Sequence, residues 1–341
     1  MARHDNVRIS SAILRRATPR VGGSSHSWGL KAVKEIKTGN PYCYRYRLAD
    51  DLLQASIKRS GIMIPVLVTE GNRPTVISGH RRLHAARVLK FKNVPVAAVK
   101  KMTPREAFLL NLVSNWKHRC SELDRAKALG IAARKFVFSE ADRVHLILPL
   151  LGLPEDKSLI AFYQKIDQFP RPLKALVEEG LLPLRSMSFL FKFSERDQTC
   201  FARRICSRAR LTSSQLLQAG EWLADLIKGS GKDLESILKE NMLPEELNVR
   251  GMDLRAKGDR FFAAIKRLRF PGYSQYAKAF EERRGDALRG AKEFRLEPVQ
   301  GFEEPGFELH ARVRNPEDLD RLLLRISEKR SALNSLFEIA L

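Results

Sequence analysis

Cysteine is scarce in this chain. Its four copies among 341 residues (Cys43, Cys120, Cys200, Cys206) are scattered and form no C-x-x-C pair, which argues against a zinc site and for free thiols in a reduced cytoplasm. Long apolar runs are missing too. His145 to Pro154 is the greasiest stretch, and Pro149 interrupts it, so a membrane-spanning helix is excluded. The opening Met1-Ala2-Arg3-His4-Asp5 has no apolar core of a secretory signal. Acidic residues are in deficit: 39 against 61 Lys and Arg, a formal net charge of 61 − 39 = +22. A basic excess spread along the whole length points to nucleic acid as the partner before any membrane surface.

With 44% hydrophobic and 29% charged residues, the chain suits two or three modules with real cores. The informative stretch runs from Val76 to Lys90. Thr75, Val76 and Ile77 are strand formers, Ser78-Gly79 is a turn signal, and Leu83, Ala86 and Leu89 recur at helical spacing. The pattern predicts strand, tight turn, helix. It puts His80, Arg81 and Arg82 in the first helical turn, where free N–H groups and the positive dipole end already point outward. Two arginines there oppose the dipole by about 0.3–1 kcal/mol each. A phosphate between the N–H groups and the guanidinium forks relieves that conflict. A solvated face of Arg81, Arg82 and Arg87 is the alternative, and spacing alone does not separate the two.

Gly79-His80-Arg81-Arg82-Leu83-His84-Ala85 resembles the G-x-R-R-x-x-A box of the ParB family, the centromere-binding proteins of chromosome and plasmid partition. In that family the box, usually GERRxRA, contacts the triphosphate of CTP; here His80 replaces the glutamate and His84 the third arginine. Gly61-Ile62-Met63-Ile64-Pro65-Val66 is similar to the family's G-x-x-x-P segment. A helix over 48–60 leads into it, a hairpin through Glu70-Gly71-Asn72 follows, and Val94–Val99 reads as a third strand. The helix expected over 108–119 aligns with the family's E-N-x-x-R motif, where the acid helps hold magnesium. Asn115 matches, Ser114 stands in the acid's place, His118 in the arginine's, and Arg119 is one step on. Magnesium prefers carboxylate or phosphate oxygen, so Ser114 leaves a CTPase activity open.

From 121 to 228 the periodicity is helical. Glu122–Phe136 is one helix, Ser139-Glu140-Ala141-Asp142 opens a second with a capping box, and 158–167 makes a third. Leu173–Glu179 follows and stops at Gly180. This order resembles the family's helix-turn-helix module, whose second helix enters the major groove. The side chains it would offer are Lys157, Ser158, Tyr163, Gln164 and Lys165. Pro149 falls where the first helix of that pair should continue, and a purely structural bundle is the other reading. Over 194–210, Arg203 and Arg204 join Arg196 and Arg208 in a basic stripe suited to DNA backbone.

Gly229-Ser230-Gly231 reads as a linker. Basic helices follow over 234–240, 250–269 and 273–289. The period then switches to two over 292–299 and 306–313, a hairpin. Asn315-Pro316 caps a helix over 317–329 with Leu319, Leu322, Leu323 and Ile326 on one face. This β-β-α unit is similar to the C-terminal dimerisation domain of chromosomal ParB proteins, and a unit so small is expected to need a second copy to bury its apolar face.

The expected organisation is therefore a basic arm (1–44), a small α/β phosphate-binding domain (45–120), a helical DNA-binding domain (121–228), a basic helical linker region (229–290) and a dimerisation domain (291–341). The resemblance implies a sequence-specific binder of double-stranded DNA, cytoplasmic and nucleoid-associated, working as a CTP-dependent clamp. CTP with Mg2+ would sit on Gly79, His80, Arg81, Arg82, Asn115 and Arg119. A homodimer and a ParA-type ATPase would be its partners. Two alternatives remain: a ParB-related transcription regulator of a mobile element that needs no nucleotide, and a nuclease. The latter usually needs clustered carboxylates, and only Glu70 and Glu106 flank the arginine box in the sequence.

Overall fold

The computed structural model describes residues 26–37, 41–99, 102–116, 120–183, 188–291, 293–299 and 306–338. Its first strand, β1 (His26–Ala32), falls inside the expected basic arm. Helix α1 (Asp51–Ser60) follows, then strands β2 (Val66–Thr69) and β3 (Val76–Ser78), helix α2 (His80–Val88), strand β4 (Asn93–Val99) and helix α3 (Pro104–Asn115). The sheet order is β1-β4-β2-β3, with β4 parallel to β2 and antiparallel to β1. Val33 and Ile36 are buried in its core beside Val66, Val76, Leu83 and Val94. The arm reading therefore fails for residues 26–37. Lysines at exposed positions (Lys34, Lys37) gave the segment a basic composition, while Val33 and Ile36 turned inward and Trp28 and Leu30 stayed exposed. Residues 1–25 of that reading lie outside the described ones.

Capping sets the helix ends. Asp50 accepts the Leu53 N–H at 3.0 Å, and Gly61 ends α1 at φ +70°, a conformation glycine adopts without a Cβ penalty. Thr103 and Glu106 form a capping box around Pro104, so α3 starts four residues before the expected Phe108.

Helices α4 (Glu122–Arg134), α5 (over 140–150), α6 (Lys157–Asp167) and α7 (Arg171–Glu178) complete the first of two compact units, which divide near residue 184. Pro149 lies inside α5. The middle of that helix (Arg143–Ile147) is a π turn, with Leu148 N–H bonded to Arg143 O. The wider turn absorbs the amide and the space that a proline denies to an α-helix. A buried ion pair joins the helices to the loop before α1: Arg45 Nη1 lies 2.7 Å from Asp124 Oδ2, and Asp124 Oδ1 accepts the Tyr46 N–H at 2.7 Å. Tyr42 stacks on Phe136, and Phe136 on Phe108.

The second unit holds α8 (Glu195–Cys200, extended by a π turn over Phe201–Cys206), α9 (Ser213–Ser230), α10 (Leu234–Glu240), α11 (Leu243–Leu247), α12 (Leu254–Arg269), α13 (Pro271–Leu288), β5 (Phe294–Pro298), β6 (Phe307–Ala311) and α14 (Pro316–Glu328). The expected linker at 229–231 is the end of α9, which Gly231 caps at φ +68°. Nor is 229–290 a linker region, because Trp222 of α9 packs on Phe262 of α12 at 5.2 Å and on Phe270 at 5.4 Å. The β-β-α unit finds part of its cover within the chain. Phe280 and Ala287 of α13 join Phe294, Leu296 and Leu322 in one core. Of the expected helix face only Leu322 is buried, and Ile326 is partly covered. Leu319, Leu323 and Leu324 stay exposed, at 44%, 56% and 61%. Among the described residues no helix is long and apolar enough to cross a membrane.

Gly258 marks the tightest approach in this unit. A Cβ there would stand 2.0 Å from the carbonyl oxygen of Arg210, whereas one at Gly285 of α13 would meet nothing within 4 Å. Gly258→Ala is expected to lower stability by about 1–3 kcal/mol through overpacking. Gly285→Ala should raise it by about 0.5–1 kcal/mol through helix propensity. Urea midpoints of the two variants check the contrast.

Candidate functional site

Helix α2 begins on Gly79, held at φ +96°. A Cβ at Gly79 would lie 3.1–3.3 Å from the Arg82 guanidinium, so the backbone conformation calls for glycine and a side chain would crowd Arg82. No acid occupies the first turn of α2. That turn borders a cleft of about 330 Å³ lined by Arg45, Asp50, Gly79, His80, Arg81, Arg82, Asn111 and Asn115.

The two arginines are held differently. Arg81 pairs with the Asp50 carboxylate, which also caps α1. Its Nε is buried and meets no acceptor among the described residues. Arg82 Nη1 donates to the carbonyl oxygens of Ile64 and, at 2.7 Å, Pro65. Arg82 thus staples the helix start to the entrance of β2, and burial lowers its guanidinium pKa. Of the pair, Arg81 is the one whose partner, a carboxylate, a phosphate can replace one for one.

The far wall is α3. Asn115 Nδ2 donates to Asn111 Oδ1 at 2.9 Å and reaches Ser78 Oγ at 3.1 Å. Asn111 Nδ2 donates to Tyr42 O at 2.6 Å. Ser114 Oγ lies 2.7 Å from Ser78 Oγ, tied to the end of β3 rather than offered to a metal. Asp50 is the one acid lining the cleft, and no three His, Cys, Asp or Glu side chains stand close enough to hold a metal among the described residues. The cleft therefore fits the phosphates of a nucleotide. It does not fit a magnesium ion held mainly by protein oxygens, and neither does it offer the carboxylate cluster of a nuclease.

Gly79, His80, Arg81, Arg82 and Asn115 come together as expected, while Arg119 lies outside the described residues. The expected DNA contacts divide. Lys157, Ser158 and Lys165 are exposed on α6 and Gln164 is half-buried; Lys157 pairs with Glu140 at 2.6 Å. Tyr163 is 1% exposed, and its hydroxyl donates to Glu122 at 2.6 Å. It is a core residue rather than a base contact, since its i+3 spacing from Ile160 and Ile166 puts it on the buried stripe. Arg203 and Arg204 are exposed in the second unit, where Arg204 pairs with Glu235 at 3.2 Å. Asp50 and Arg45 escaped the sequence reading. A helix-capping Asp ahead of an apolar run was the available signal for the first; Arg45 had none.

Residues 36–116 match the ParB N-terminal domain. A probable plasmid-partitioning protein ParB of Thermus thermophilus is 28% identical over 163 residues, covering 39% of this chain and 54% of the relative. The chain thus spans about half the length of that curated relative. Two solved structures of the C-terminally truncated chromosome-partitioning protein ParB of Caulobacter crescentus also match. One is complexed with CTP-gamma-S (17% identity, 52% of this chain and 97% of that one, TM-score 0.25). The other is complexed to the centromeric parS site (16% identity, 57% and 98%, TM-score 0.34).

His80 is 6% exposed. Burial first, and the charge of Lys127 second, push its pKa from 6.5 down to about 4. Its ring is neutral in the folded chain at pH 7. Below pH 6.5 the unfolded chain binds this proton and the folded chain does not. Stability therefore falls by about 3 kcal/mol as pH drops from 6.5 to 4. Urea unfolding across this window should show the loss in the wild type and a smaller one in His80→Gln.

Proposed function

We propose that this ParB-family chain, whose residues 36–116 form the N-terminal domain of that family, is a partition protein. In this reading it binds double-stranded DNA through α5 and α6 as a helix-turn-helix and gates that binding with a nucleoside triphosphate, CTP, in the cleft at Gly79. The observation that carries the reading is Arg81. It stands at the positive end of a helix with its charge met by one carboxylate and its buried Nε unmet, which is the arrangement a phosphate completes. His80, neutral and buried where the family carries a glutamate, would border the phosphates. Asn115 and Asn111 would border the remainder of the nucleotide. Magnesium, arriving on the triphosphate, would neutralise its charge; no residue of the cleft is assigned to hydrolysis.

Exposed Leu319, Leu323 and Leu324 on α14 support a homodimer through the C-terminal unit. The ParA-type ATPase belongs to the same reading and rests on the family resemblance. One observation favours the second reading, a transcription regulator on the same scaffold: Ser114, in the place of the metal-binding acid, is bonded to Ser78.

Calorimetric titration with CTP and with tripolyphosphate tests the cleft. Arg81→Ala should weaken both ligands about 10–100-fold, the loss of one charge-assisted contact of about 1.5–3 kcal/mol. Asp50→Asn keeps a side-chain oxygen for capping α1 but removes the anion competing for Arg81, so it should tighten magnesium-free binding. Unchanged affinity in both variants contradicts the assignment.

A further inference from the structure

The segment Pro41–Tyr46 separates the Gly79 cleft from a second cavity on the side of the helices. Arg45 lines the cleft, whereas Cys43 and Tyr46 line the second cavity. That cavity, at about 720 Å³, is more than twice the size of the 330 Å³ cleft. Four cations line it, Lys127, Arg134, Lys135 and Lys174, against a single acid, Asp167.

The acid is already used. Arg134 reaches Asp167 Oδ2 at 2.5 Å, and the pair closes over Gly130, where a Cβ would stand 2.5 Å from Asp167 Oδ2 and 2.7 Å from Arg134. Glycine at 130 leaves the space that the paired side chains fill. Two of the three lysines are anchored on backbone carbonyls. Lys127 Nζ donates to Arg45 O at 2.9 Å and Lys174 Nζ to Asp167 O at 2.7 Å, which leaves each ammonium two further N–H donors. A solvated basic face spreads its charges over a convex surface, where like charges separate. Here three cations beyond the neutralised pair share one concavity, an arrangement whose repulsion an anion relieves.

We infer that this groove is a second phosphate site, distinct from the cleft at Gly79, and that it takes backbone phosphates of duplex DNA. The inference rests on the DNA-binding reading of α6. Asp167 is the last residue of α6, so the groove adjoins the end of the helix whose exposed Lys157, Ser158 and Lys165 face outward. A helix seated in the major groove is flanked on both sides by sugar-phosphate backbone. A cationic groove at the helix end is where one of those backbones runs.

The test uses the full chain, a short labelled duplex of random sequence, and fluorescence anisotropy over a salt series. Each phosphate contact contributes a slope of about −0.9 in log affinity against log salt. Lys135→Ala/Lys174→Ala is therefore expected to make the slope shallower by about 2, while Lys135→Arg/Lys174→Arg keeps it. Tripolyphosphate affinity at the Gly79 cleft should stay at the wild-type value. A slope unchanged in the alanine variant overturns the groove while leaving the DNA-binding reading intact. An unchanged slope with loss of one equivalent of bound tripolyphosphate overturns it in favour of a free phosphate compound. A wild-type chain that binds no duplex overturns the DNA-binding reading and the groove together.

Discussion

Helix α2 carries two guanidinium groups at its positive end, and the Asp50 carboxylate is the anion that makes this tolerable. The rest of the first unit is arranged around that arrangement. Gly79 supplies the left-handed turn on which α2 starts at the edge of the cleft. Arg82 anchors the turn to the carbonyls ahead of β2. Asp50 is positioned by capping α1, so the counter-ion of Arg81 is also a structural part of the neighbouring helix. Replacing it with a phosphate leaves the cap in place, because Asp50 caps α1 with Oδ1 and meets Arg81 with Oδ2. The cleft can therefore exchange one anion for another without unfolding a helix.

Arg45 extends this logic toward the helices. It borders the cleft, yet its guanidinium is committed to Asp124 at the start of α4. Both groups are nearly buried, and removing one partner from such a pair is costly because the other charge is left unpaired in a dry site. The loop carrying Arg45 thereby ties the α/β domain to the helices proposed to read DNA, and Lys127 adds a bond from α4 to the same loop.

Much of the first unit was legible in the sequence because its signals are local. The strand-turn-helix at 76–88, the capping box at Ser139, and the stop at Gly180 all follow from neighbouring residues. Strand β1 was hidden because its partner, β4, is more than sixty residues away and Lys31, with Lys34 and Lys37 just after it, set the composition of the segment. Tyr163 was misplaced because a polar hydroxyl on an amphipathic helix reads as outward-facing; its burial depends on Glu122, forty-one residues earlier, as an acceptor. Gly-Ser-Gly at 229–231 signals both a linker and a left-handed helix cap, and only the packing of Trp222 on α12 separates the two. Asp50 falls inside the helix expected over 48–60, whereas it is the residue that caps α1. Its role appears only when Arg81 is brought beside it.

The central claim is that this fold reads DNA under the control of a nucleotide. Selection of host genomic fragments by the full-length protein at physiological salt, with and without CTP and magnesium, tests it most directly. The account predicts recovery of one repeated palindrome whose binding changes when CTP is added. Recovery of promoter fragments indifferent to CTP, or no enrichment in either condition, would contradict it.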